Sequence, residues 1–185
     1  MTRPMPGGRR RVDKVLAPEF VTDLEALPMA DLRERRHEAE QEEADLSFLR
    51  RMLHGRMAIV QAEIARRDPS GDAGEIVDDL KNILGDDQRS TRGLGRHLTV
   101  EPSRVDEHRR GVEQIVADPT LSDVGARSDA ELQDALDRLA AHEREVSEVR
   151  RAVQNVMDVL SAELAGRYRT GQASVDDLLT PEAGV

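Results

Sequence analysis

The sequence predicts an all-α chain in which two long helices form an intramolecular antiparallel coiled-coil hairpin, with short flanking helices and mobile loops. Three observations lead there. Apolar residues make up 38% of the chain but aromatic ones only 2%, set among 35% charged residues. A thick globular core draws on large rings, which bury the most area per residue; Leu, Val, Ile, Met and Ala among charges suit long helices with a narrow apolar seam. Residues 9–67 align with 109–167 at a constant offset of 100 without a gap, and 17 of the 59 pairs are identical. Within each half the apolar residues recur at three- and four-residue spacing, the period of one helix face.

Residues 1–11, MTRPMPGGRRR, read as a flexible basic tail. The first repeat, 12–67, opens with a short apolar segment (12–16) and a proline-containing loop. Its long helix is expected over about 28–67, starting at Pro28, which suits a first turn, and stopping before Asp68-Pro69-Ser70-Gly71. A linker follows at 68–108, with a short helix over about 74–84 and a polar Gly/Arg stretch at 85–103 expected to be mobile. The second repeat, 109–167, mirrors the first: an apolar segment at 112–116, a loop, and a long helix over about 128–167. Ser128 and Glu131 form a capping-box pattern at its start. Residues 168–185 make a C-terminal segment, in which the VDDL of 77–80 recurs at 175–178.

Leu46, Leu49, Leu53, Met57, Val60 and Ile64 make the expected seam of the first helix, and Val146, Val149, Val153, Val156, Leu160 and Leu164 that of the second. At 1.5 Å rise per residue each helix is roughly 55 Å long. Neither seam is stable in water, and each is the nearest apolar surface for the other. Antiparallel pairing is preferred because it lets a duplicated chain build a pseudo-twofold.

The chain has no cysteine, so disulfides, thiolate metal sites and cysteine nucleophiles are excluded. The basic start is not followed by an apolar stretch, so no signal peptide is expected, and no run has the length of a membrane span. A soluble, cytoplasmic protein is expected. The formal net charge of −10 opposes nonspecific DNA binding, which needs a positive field. It suits a partner that is itself basic.

One polar stripe flanks the second seam. Glu143, Ser147, Arg150, Gln154 and Asp158 follow one another at 4, 3, 4 and 4 residues, which confines them to an arc of about 80° along roughly 22 Å of helix. A solvated coiled-coil face would look the same. However, Glu43, Ser47 and Arg50 repeat the first three members in the other half, and serine inside a helix is a poor choice unless its hydroxyl has a partner. A guanidinium donates in parallel to O6 and N7 of guanine, a carboxylate accepts from its N1–H and amine, and Ser or Gln completes such contacts. The stripe therefore offers chemistry suited to guanine and phosphate.

The motif Glu-x3-Ser-x2-Arg-x3-Gln-x3-Asp, with SFLRR, ARRDPSG and the terminal RYRTGQASVDDLL, resembles the RsiG family of cyclic-di-GMP-dependent anti-sigma factors of actinobacteria over about residues 9–180. That resemblance implies two motif copies on two antiparallel helices that bind a cyclic-di-GMP dimer. It further implies a loaded protein that holds a WhiG-class sigma factor away from RNA polymerase, as a monomer in a heterodimer with sigma, repressing sporulation genes. It makes Glu143, Ser147, Arg150, Gln154 and Asp158 ligand contacts on the second helix, and Glu43, Ser47, Arg50 and His54 on the first. His54 stands where the family has Gln, and Ala58 where it has Asp, so an asymmetric, weaker site is implied. No metal, direct DNA contact or membrane is implied.

Catalysis is not expected. The five histidines (37, 54, 97, 108, 142) lack metal spacing, and no phosphate loop or nucleophile elbow occurs. The rival reading is a nucleotide-independent coiled-coil adaptor or a constitutive anti-sigma factor, which accounts for the seam and charge but not for the repeated Glu/Ser/Arg triplet. Restoring an acid at position 58 by Ala58→Asp is expected to tighten cyclic-di-GMP binding in isothermal titration, by about 1.5–3 kcal/mol. An unchanged affinity would remove position 58 from the ligand stations.

Overall fold

A computed structural model of the chain describes residues 4–68 and 123–171. The linker helix expected at 74–84, the stretch 85–103, the segment 112–116 and the repeat at 175–178 lie outside the described residues. The elements run α1 (Arg11–Val15), 3-10 turns at Pro18–Val21 and Leu24–Ala26, α2 (Met29–Arg67), a 3-10 turn at Val124–Ala126, and α3 (Asp129–Arg169). All are helical, and the two long helices pack against each other. No helix among the described residues is long and apolar enough to cross a membrane.

Sequence explains the ends of both long helices. Pro28 stands just outside α2 rather than in its first turn, and its carbonyl accepts from the Leu32 N–H at 3.1 Å. Before α3 the capping box forms as expected: Ser128 N–H donates to Glu131 Oε2 at 2.8 Å, and Glu131 N–H to Ser128 Oγ at 3.3 Å. α3 runs through Gly166 and stops at Arg169. Gly171 follows with φ +71°, a left-handed conformation that glycine adopts without steric cost.

Burial corrects the expected seam. In α2 Leu32, Ala39, Leu46, Leu53 and Val60 are all 0% exposed, and they stand seven residues apart; Leu132, Leu139, Val146, Val153 and Leu160 repeat the row in α3. The seam therefore begins two heptads before Leu46 and Val146. Met57, Ile64 and Val156 are only half-buried. The neighbouring row explains why the sequence understated it. Three residues after each heptad position, α3 has Ala135, His142, Val149, Val156 and Glu163, whereas α2 has Arg35, Glu42, Leu49, Arg56 and Glu63. An apolar count over the start of α2 finds little, because its second row is largely charged.

Those charges are satisfied by the residues ahead of α2. The chain forms two compact units, Met1–Ala44 with Glu148–Val185, and Asp45–Ser147. In the first unit Arg11 Nε donates to the fully buried Glu42 at 2.7 Å, and Lys14 Nζ to Glu38 at 2.7 Å. Arg35 donates to the Phe20 carbonyl at 2.6 Å and stands 5.6 Å from the Phe20 ring centroid. Val12, Val15, Phe20 and Leu24 are buried. Arg10 and Arg11, expected in a basic tail, thus belong to a packed cap. Asp13 anchors it, accepting from the Met5 N–H at 2.7 Å and from Arg10 Nε at 2.8 Å. Gly8 lies so close that a Cβ there would overlap the Asp13 carboxylate.

Both units pair their helices antiparallel. In the first, Arg33 donates to Tyr168 Oη at 2.8 Å and Arg36 to Ser161 Oγ at 3.1 Å, so rising numbers on α2 meet falling numbers on α3. In the second, Arg50 meets Glu143 whereas Arg67 meets Asp129.

Arg11→Ala removes a cation from a carboxylate that water does not reach. It should lower the unfolding free energy by on the order of 3 kcal/mol, measured in urea, and Glu42→Leu in the same background should recover most of the loss, because an apolar side chain needs no counter-charge. The hydrogen bond from Arg10 holds the Asp13 carboxyl down, against burial, from 3.8 to about 2. A depressed carboxyl stabilises the fold above its unfolded value and ceases to do so as pH falls through its folded one. The melting temperature should therefore drop between pH 4 and pH 2, less steeply in Asp13→Asn.

Candidate functional site

Each unit holds one cluster of the stripe residues. In the first, Glu43 on α2 accepts from Arg150 Nε at 2.9 Å and from Gln154 Nε2 at 3.0 Å, both on α3. In the second, Glu143 on α3 accepts from Arg50 Nε at 3.0 Å, with His54 Nε2 at 3.2 Å from the same oxygen. Ser147 Oγ donates to that oxygen at 2.7 Å. Glutamate and arginine are seven residues apart in each copy, Glu43 to Arg50 and Glu143 to Arg150. In an antiparallel register a step of seven forward on one helix meets a step of seven back on the other, so the duplicated motif pairs with itself reciprocally. His54 takes the position in its cluster that Gln154 takes in the other.

The four side chains of the two Arg–Glu pairs, and His54, are between 17% and 29% exposed. That leaves the groups open to a ligand while shielding their charges better than a surface pair. Burial pushes the Glu143 carboxyl up, but hydrogen bonds from Ser147, Arg50 and His54 together outweigh it and hold the group below its ordinary value. Glu143 is therefore ionised at neutral pH and acts only as an acceptor.

The remaining predicted stations divide. The Ser147 hydroxyl has the partner its mid-helix position called for, four residues back on its own helix. Ser47 is half-buried, and its carbonyl accepts from Arg51 Nε at 3.4 Å. Asp158 is exposed and has no hydrogen bond or ion pair among the described residues. Ala58, the counterpart of Asp158, is only 5% exposed, so the two copies differ here in burial as well as in charge.

A pair of arginines was not read from the sequence. Arg67, at the end of α2, donates from Nη1 to the Arg127 carbonyl at 2.6 Å and from Nη2 to those of Val124 and Gly125 at 3.1 and 3.0 Å. Arg167, near the end of α3, donates to the carbonyls of Leu27 at 2.7 Å and Leu24. Each is held by a glutamate four residues back, Glu63 and Glu163. The cation sits where a helix end is negative, and its planar fork satisfies loop carbonyls in the 3-10 turn region ahead of the other long helix. The signal was present, since Glu63/Glu163 and Arg67/Arg167 are identical pairs of the duplication.

The RsiG-like family matches residues 18–84 and 118–182. The chain belongs to the RsiG-like family. The two matched spans begin 100 residues apart, the offset of the internal duplication. Comparison with curated proteins gives no match. The RsiG-like family is one of anti-sigma regulators and not of enzymes.

For this RsiG-like chain, burial reverses the outlook for position 58. An aspartate there starts from an enclosed Cβ, and desolvation disfavours its charge. Ala58→Asp is expected to destabilise the fold by about 1–3 kcal/mol, read as a lower melting temperature. A stable variant with tighter binding would return position 58 to the ligand stations.

Proposed function

We propose that this RsiG-like protein is an anti-sigma factor that sequesters a WhiG/flagellar-type sigma factor in a cyclic-di-GMP-dependent manner and thereby represses sporulation or developmental transcription. The observation that carries the reading is the reciprocal Arg–Glu pairing, Arg150 on Glu43 and Arg50 on Glu143 at 2.9 and 3.0 Å. Guanine presents both complements at once, acceptors at O6 and N7 for the guanidinium and donors at N1 and the amine for the carboxylate.

The donor set fits such a ligand. Arg150 and Gln154 donate and Glu43 accepts in one cluster; Arg50, Ser147 and His54 surround Glu143 in the other. Cyclic-di-GMP supplies guanine edges for these groups and phosphate charge for the arginines. The arginines and glutamates satisfy each other across the helices, so binding a guanine edge exchanges one set of charge-assisted hydrogen bonds for another. A sigma factor that binds only the exchanged arrangement raises nucleotide affinity by the same factor by which the nucleotide raises its own. The net charge of −10 favours a basic partner of the DNA-binding kind. The cytoplasm is the compartment where both partners occur.

Capture of a WhiG-type sigma factor on the immobilised full chain should require cyclic-di-GMP. Arg150→Ala should weaken nucleotide binding at least about tenfold, since a charge-assisted contact is worth about 1.5–3 kcal/mol, and reduce capture in step. Equal capture with and without nucleotide would support a constitutive anti-sigma factor, and no capture a nucleotide-independent adaptor.

A further inference from the structure

The two clusters differ in one chemically consequential respect. At the position four residues after the arginine, one carries Gln154 and the other His54. Both side chains point to the equivalent glutamate: Gln154 Nε2 is 3.0 Å from Glu43, and His54 Nε2 is 3.2 Å from Glu143. Gln154 is neutral at every physiological pH. Histidine is the residue type whose protonation changes most readily around neutral pH, and it stands here at position 54. It is 24% exposed, so protons reach it and a ligand at the cluster lies within its field.

We infer that His54 makes the Glu143 cluster a proton-linked anion site, so that its ligand binds more tightly as pH falls, while the Glu43 cluster is indifferent to pH over the same range. The inference rests on the nucleotide reading above.

Glu143, from α3, faces the His54 ring, and Arg50, from α2 itself, donates to the same Glu143 oxygen. The acidic Glu143 is shared among Arg50, Ser147 and His54. A dianionic ligand brings further negative charge to the cluster, which favours the imidazolium over the neutral ring. Binding then takes up a fraction of a proton, and by linkage affinity rises as pH falls wherever the complex holds more protons than the free protein. Of the five histidines, His54 alone belongs to the stripe. His142, whose imidazole burial pushes down, is its nearest competitor as a source of pH dependence.

The test is isothermal titration of cyclic-di-GMP into the full chain at pH 8.0 and pH 6.0, in two buffers of different ionisation heat at each pH. The wild type should bind about three- to tenfold more tightly at pH 6.0, with fractional proton uptake that the buffer comparison counts. His54→Gln, which copies the residue of the other cluster, should flatten the slope and abolish the uptake. Gln154→His should steepen the slope by adding the same device to the Glu43 cluster. Thermal melts at both pH values check that the variants are folded. A slope that persists in His54→Gln, or that Gln154→His does not change, overturns the inference while leaving the nucleotide reading intact. Failure of every folded protein to bind at either pH overturns both.

Discussion

The constraint on which the rest depends is the row of buried aliphatic side chains spaced seven residues apart on each long helix. Leu32, Ala39, Leu46, Leu53 and Val60 on α2 match Leu132, Leu139, Val146, Val153 and Leu160 on α3 position by position. A strict heptad keeps one edge of a helix turned towards its partner, because the slight mismatch with 3.6 residues per turn is absorbed by supercoiling. Once that edge is fixed, residues four positions after a row member flank the contact, as Glu43 and Arg50 do after Ala39 and Leu46, and their pairing follows from arithmetic. Glu and Arg seven apart must meet Arg and Glu seven apart when the helices run in opposite directions.

The polar pairs refine a register that the aliphatic row establishes. Half-buried ion pairs add little net stability, since desolvation offsets much of their attraction. Their value is specificity. A slip of one heptad would leave the aliphatic row in contact but separate Glu43 from Arg150. The arginines at the helix ends act in the same sense, tying Arg167 to the carbonyls of Leu24 and Leu27 in one unit and Arg67 to those of Val124, Gly125 and Arg127 in the other.

Most of the fold was legible because helices announce themselves through periodicity and stop signals. The Ser128/Glu131 box and the end of α2 at Arg67 followed from local chemistry alone. The start of the seam did not, because its neighbours in α2 include Arg35 and Glu42, whose burial depends on Phe20 and Arg11, residues distant in sequence. For the same reason Arg10 and Arg11 looked like a solvated tail. The stripe was readable as a spacing, but its internal pairing required the register of two helices. Ala58 shows the limit of motif reasoning most plainly, since it differs from its counterpart Asp158 in burial as well as in charge.

The reciprocal pairs also act as a filter. A simple anion such as phosphate or chloride could compete for Arg150 or Arg50, but it would strand Glu43 or Glu143 without its cation at 17–20% exposure. A simple cation would strand the arginine. A molecule carrying acceptors and donors side by side, as the proposed nucleotide does, would open either pair while offering a partner to both charges. Its selectivity would reside as much in the contact that must be broken as in the one that forms.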